Sequence, residues 1–181
     1  ADVTRSRARL GWVGEPQGVA ALEAVLPHLA ALAETVSHTL VTMGVAPRGT
    51  HACHQHLGSI GAQAWEAEID VGLLPARSTD TLTWLDRYWL VRYARAGVPI
   101  LCGNHPELVA VIGDSGMGYV AEDETTWHLA LRKLLTQEGV AIRLGERGRD
   151  WFHHHRTRDA QLTRLVDFLV KRGSAQAGRG I

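Results

Sequence analysis

Ile69-Asp-Val-Gly-Leu-Leu-Pro75 and Val98-Pro-Ile-Leu-Cys102 are the two stretches that decide the fold. Each is a short apolar run, the first closed by Pro75 and the second by Gly103, with none of the polar alternation of a half-solvated strand. Such runs belong to strands covered on both faces, as in parallel sheets. Between them, residues 82–96 read as a helix that stops at Gly97, glycine being the usual residue just past a helix end. A strand, a crossover helix and a second buried strand make a parallel unit.

The same alternation continues outward on both sides. Arg9-Leu-Gly-Trp-Val-Gly14 predicts a strand, and Pro16 suits the first turn of the next helix. Leu22, Val25, Leu26, Leu29 and Leu32 recur at steps of three and four, giving that helix one apolar face. Residues 36–43 are β-branched and apolar up to Gly44 and predict a strand, followed by a loop-rich stretch over 45–61 with a weak strand near its end. A short helical turn is expected at 63–69, a helix at 106–112, a short strand at 117–120 and a helix at 125–135. Two more helices follow at 140–155 and 159–171.

The expected fold is therefore α/β: a doubly wound, mainly parallel sheet with helices on both faces. One domain spans 1–173, and the small polar residues of 174–181 form a frayed tail. In such sheets ligands sit beyond the carboxyl ends of the strands, where the strand order reverses. That rule singles out the loops at 14–15, 44–45, 75–81 and 103–107.

Composition narrows the function. The chain has 181 residues, with 19 Lys plus Arg against 19 Asp plus Glu, a net charge of zero. Nothing in that balance favours nucleic acid or an anionic membrane. No run approaches the ~18 apolar residues of a membrane span, and the first nine residues lack the apolar segment of a signal peptide. The two cysteines, Cys53 and Cys102, are no disulfide framework, so a reducing, cytoplasmic setting is expected.

A longer series of words carries a resemblance. His56-Leu-Gly-Ser-Ile60 and Ile69-Asp-Val-Gly-Leu-Leu-Pro75 are followed by Leu90-Val-Arg-Tyr-Ala-Arg-Ala-Gly-Val-Pro99 and Ile100-Leu-Cys-Gly103. Asp114-Ser-Gly-Met-Gly-Tyr-Val120, the helix of Trp127 and Leu144-Gly-Glu-Arg-Gly148 complete the order. Together they resemble the C-terminal domain of GT-B-fold glycosyltransferases of the large retaining group.

The resemblance implies a Rossmann-like domain that holds a nucleotide-diphosphate sugar as substrate, with no cofactor and no metal. It also implies an N-terminal acceptor domain in the same or another chain, so that this chain by itself is half an enzyme. The implied donor contacts are Gly14, Glu15, Ser59, Ile60, Arg77, Ser78, Thr79, Arg92, Asn104 and Glu107; no catalytic residue is assigned. Three positions depart from the family. Where it carries two glutamates and a lysine toward the donor, this chain has Trp84, Arg92 and Trp89. A guanidinium has five donors and no acceptor, the reverse of a carboxylate. Arg92 is then either a rewired contact to phosphate or the mark of a degenerate scaffold. A flavodoxin-like or receiver domain is a further alternative, but the early acidic pair of a receiver is absent.

Other groups have simpler readings. His51, Cys53, His54 and His56 have metal-ligand chemistry but no second cysteine pair, so a polar loop is expected. His153 to His155 point in different directions on a helix. Asp70 is either a catalytic carboxylate or a strand-start residue bonded to a neighbour. Glu107 either faces the donor or begins a helix, where acidic side chains are favoured. The six tryptophans are expected mainly in packing, with Trp84 and Trp89 the exceptions beside the altered motif.

Overall fold

The structure, a computed structural model, describes residues 7–49, 53–58, 65–77, 79–137 and 139–177. Six strands form one sheet: β1 (Ala8–Gly14), β2 (His38–Gly44), β3 (His54–His56), β4 (Val71–Leu74), β5 (Ile100–Cys102) and β6 (Gly118–Val120). Their order is β3-β2-β1-β4-β5-β6 and every pairing is parallel. The helices are α1 (Val19–Ala33), α2 (Trp84–Ala96), α3 (Pro106–Ser115), α4 (Glu124–Thr136), α5 (Val140–His155) and α6 (Arg158–Ala177). Short 3-10 turns occupy Pro16–Gly18 and Trp65–Glu68.

Alternation along the strands sorts two cores onto the two faces of the sheet. Leu10, Trp12, Leu40, Val71, Leu73 and Leu101 point to the face covered by α1 and α4, where Leu22, Leu26, Leu29, Trp127 and Leu131 meet them. Val13, Val41, Met43, Leu74, Ile100 and Cys102 point to the other face, covered by α2, α3 and the Trp151 end of α5. The sheet is doubly wound because its inner strands β1, β2, β4 and β5 carry apolar side chains on both of their faces. The face of α1 read from the sequence is the buried one.

Local signals set the ends of α2, which matters for the site. Thr83 and Asp86 form a reciprocal capping box at its start, and Gly97 closes it in the left-handed region at φ 72°. The last helix runs further than its apolar pattern. Residues 174–177, expected to fray, continue α6 to Ala177, and 178–181 lie outside the described residues. No helix among the described residues is long and apolar enough to cross a membrane.

Candidate functional site

The strand order changes direction between β1 and β4, because the chain leaves β1 toward β2 and β3 and returns to lay β4, β5 and β6 on the other side. Beyond the carboxyl ends of these strands lie two adjoining crevices. One has a volume of about 360 Å³ and lies against Gly18, Pro75, Ala76, Asp80, Thr83 and Asp86. The other, about 830 Å³, has a floor of Gly14, Gly44 and Gly58 and a wall of Trp84, Leu85, Tyr88 and Trp89, with Glu15 at its side.

The floor depends on glycine. Gly14 and Gly44 are paired in register at the ends of β1 and β2. Gly44 has φ +88°, and a Cβ there would lie 2.5 Å from the Gly14 carbonyl oxygen. The wall comes from helical spacing: Trp84 and Tyr88, like Leu85 and Trp89, are four apart and share one side of α2. Trp84 and Tyr88 meet at 6.3 Å between ring centres, and Trp84 is 67% exposed. Trp89 is buried and its indole N–H has no hydrogen-bond partner.

The structure gathers only some of the residues expected at the site. Gly14 and Glu15 line the larger crevice, and the Glu15 carboxylate accepts a hydrogen bond from Gln17 Nε2 at 2.6 Å. Arg77 and Thr79 are exposed on the loop after β4, where the Arg77 backbone N–H and guanidinium both donate to Asp80. Asn104 is half-buried after β5 and lines neither crevice. Glu107 lies in the first turn of α3 and pairs with Arg87 at 2.7 Å, which holds its carboxyl below the usual range. Ser59, Ile60, Ser78 and His51 lie outside the described residues.

Arg92 lies outside both crevices. Its Nε donates to Glu66, its Nη1 donates to the Tyr88 hydroxyl at 2.8 Å, and its guanidinium lies 5.4 Å from the Trp89 ring centre. The bond to Glu66 raises its pKa further. It lines a separate polar recess with Glu66 and Arg95. Among the described residues no lysine or arginine lines either crevice, so the site is apolar with carboxylates at its rim.

The groups with simpler readings are also placed. Asp70 accepts a hydrogen bond from the Arg9 backbone N–H at 2.8 Å, the strand-start role. His54 and His56 flank the buried Thr42 hydroxyl at 2.8 and 3.0 Å. His154 and His155 bond to backbone carbonyls one turn back, at 2.7 and 2.9 Å. Among the described residues no three metal-ligating side chains converge. Tyr88, Leu85 and Met43 line the crevice without having been singled out; the four-residue step from Trp84 and Trp89 was the signal for the first two.

No protein-family profile matches the chain, and no curated protein matches it in sequence. Solved structures do resemble it. WaaG, a glycosyltransferase involved in lipopolysaccharide biosynthesis, superposes with a TM-score of 0.68 at 21% identity over 87% of this chain and 45% of its own. Sucrose-phosphate synthase from Thermosynechococcus elongatus gives 0.69 at 13% identity over 94% and 46%. A trehalose-6-phosphate structure from E. coli bound with UDP-2-fluoro glucose gives 0.62 at 13% identity over 89% and 44%. The chain has the Rossmann-like fold found in GT-B glycosyltransferases, and it spans somewhat under half the length of each of these three.

Proposed function

We propose that this chain is the donor-binding half of a glycosyltransferase. It would hold a nucleotide-diphosphate sugar for transfer to a glycan, lipid or protein acceptor and would be incomplete without an acceptor domain. The observation that carries the reading is the glycine-floored crevice of about 830 Å³ at the carboxyl ends of β1, β2 and β3, beside the switch point of a 3-2-1-4-5-6 parallel sheet.

The chemistry follows from what faces that space. The turn at Pro16–Gly18 leads into α1, and neither start carries a side-chain cap, so the positive end of the helix is left for a diphosphate. A Cβ at Gly14 would overlap the Trp12 indole and one at Gly44 the Gly14 carbonyl oxygen, so close packing at the strand ends requires glycine at both positions. Glu15 is the carboxylate at the larger crevice and would accept the hydroxyls of ribose or sugar, the role lost at positions 84 and 92. Catalysis in the complete enzyme would be positioning together with stabilisation of the departing diphosphate. Neither metal nor organic cofactor is part of this proposal, and the cytoplasm is its proposed setting.

One set of observations favours a second reading, a scaffold that has lost donor binding. Among the described residues no cation lines either crevice, and Arg92 is bound to Glu66. Calorimetric titration with UDP and with GDP separates the two. Binding below about 1 mM, about −4 kcal/mol, with loss of affinity in Glu15→Gln supports the donor reading. No heat at millimolar nucleotide leaves the scaffold.

A further inference from the structure

We infer that the outer edge of β6 pairs with the same edge of a second copy of this chain, about a two-fold axis through Tyr119. This contact is independent of the donor reading above and uses none of its residues. β6 is the last strand of the sheet, and among the described residues no strand lies on its far side. Its bonds to β5 fix which groups face outward. The Met117 carbonyl accepts from the Ile100 N–H at 3.1 Å, and the Ala121 N–H donates to the Cys102 carbonyl at 2.8 Å. Alternation along the strand then turns the N–H and C=O groups of Gly118 and Val120 away from β5. A strand edge of this kind is a ready template for pairing with another chain.

Antiparallel pairing centred on Tyr119 sets Gly118 of each copy against Val120 of the other, and each such pair exchanges both of its N–H···O bonds. Tyr119 then faces Tyr119 of the second copy with Cα atoms ~4.5 Å apart, an arrangement in which aromatic side chains stabilise paired strands. A groove of about 530 Å³ runs beside this edge, between Tyr119 and Val120 on one side and Thr126, Leu129 and Lys133 of α4 on the other. Leu129 is 56% exposed there, and the antiparallel α4 of a second copy would cover it.

Charge selects a second copy as the occupant. The exposed acids Glu122 and Glu124 stand just past the carboxyl end of β6. From there α4 returns beside the strand, and Lys133, about 13 Å along the helix from Glu124, places its Nζ 5.6 Å from the Tyr119 ring centre. Arg132 is exposed next to it. A third exposed cation, Arg147, lies at the turn that enters β6: a Cβ on Gly116 would be 3.3 Å from its guanidinium. The edge is therefore acidic past one end and cationic toward the other. Antiparallel pairing brings the acidic end of each copy against the cationic end of the other, the self-complementarity that an isologous contact requires. A partner of one charge sign would match one end and be repelled at the other.

Sedimentation velocity and amide exchange of the 181-residue chain test the inference. The mass is expected to double between about 10 μM and about 1 mM, and exchange at Gly118 and Val120 to slow at least about fivefold over that range. Val120→Pro removes an outward N–H at an edge position, where proline is tolerated, and should leave the chain monomeric with an unchanged melting temperature at about 10 μM. Arg132→Glu with Lys133→Glu should weaken association at least about tenfold, and so should Glu122→Lys with Glu124→Lys. An equimolar mixture of those two double variants should associate as the parent does, because each then meets the opposite charge at both ends. The mixture carries the test by itself if Val120→Pro does not fold. A chain that stays monomeric to about 1 mM overturns the inference. A mixture that stays monomeric overturns it as well. A dimer that survives both Val120→Pro and the charge reversals assigns association to another surface, such as the exposed face of α6, and overturns it too.

Discussion

Arg92 stands where the resemblance to GT-B transferases implies a carboxylate, and its ion pair with Glu66 makes the consequence measurable. The two side chains are 20% and 13% exposed, so the pair is largely removed from water. Removing one partner of a fully buried pair costs about 3–5 kcal/mol. Discounting for the solvent that reaches this one, Arg92→Met is expected to cost about 2–3 kcal/mol. Arg92→Glu adds a like-charge contact, about 3 kcal/mol at ~5 Å with an effective dielectric of ~20. The total, about 5 kcal/mol, is comparable to the whole stability of many domains. Urea unfolding followed by tryptophan fluorescence at pH 7 reads both values. Glu66→Gln in the Arg92→Glu background should recover the like-charge part. The forced carboxylate pair raises one folded-state pKa above its unfolded value, so the folded form binds the extra proton and the penalty shrinks as pH falls from 7 toward 5. A loss of under about 1 kcal/mol in Arg92→Glu, or wild-type stability in Arg92→Met together with abolished nucleotide binding, would refute the structural role and return Arg92 to the donor.

Further outcomes are expected. Gly44→Ala should cost about 2–3 kcal/mol in urea unfolding and weaken any nucleotide binding, because the left-handed backbone and the Gly14 carbonyl both oppose a Cβ. Trp89→Phe should stay within about 1 kcal/mol of the parent, since it removes a buried N–H that has no partner along with some apolar area. Trp65→Phe should cost more, because Trp65 Nε1 donates to the Tyr93 hydroxyl at 3.3 Å, and a paired midpoint comparison checks the order. Burial pushes the Cys102 thiol up to about 12. The folded state keeps that proton while the unfolded thiol loses it, so stability is full below pH about 8.5 and falls as pH rises above it. Iodoacetamide at pH 8 should leave Cys102 unmodified until urea unfolds the chain.

What was legible in the sequence was whatever local chemistry decides. The apolar runs at Val71–Leu74 and Ile100–Cys102 could only be strands covered on both sides, and the spacing of Leu22, Val25, Leu26, Leu29 and Leu32 could only be a helix face. Glycine and proline punctuated the elements between them, so the doubly wound class and the loops at the switch point followed without coordinates. The site was legible as a place and less so as a set of side chains. Gly14 and Glu15 lie in it, whereas Arg92, Asn104 and Glu107 line neither crevice.

The reason is range. A strand or helix is selected by neighbours within a few residues, and a glycine turn carries its own backbone requirement. The direction of a long side chain is selected by partners remote in sequence: Glu66 binds Arg92 across 26 residues and Arg87 binds Glu107 across 20. Only the folded chain brings those partners together, and so only the tertiary structure decided that, among the described residues, the crevice is lined by tryptophan, tyrosine and glycine rather than by cations, and that Leu162, Leu165 and Leu169 of α6 are exposed.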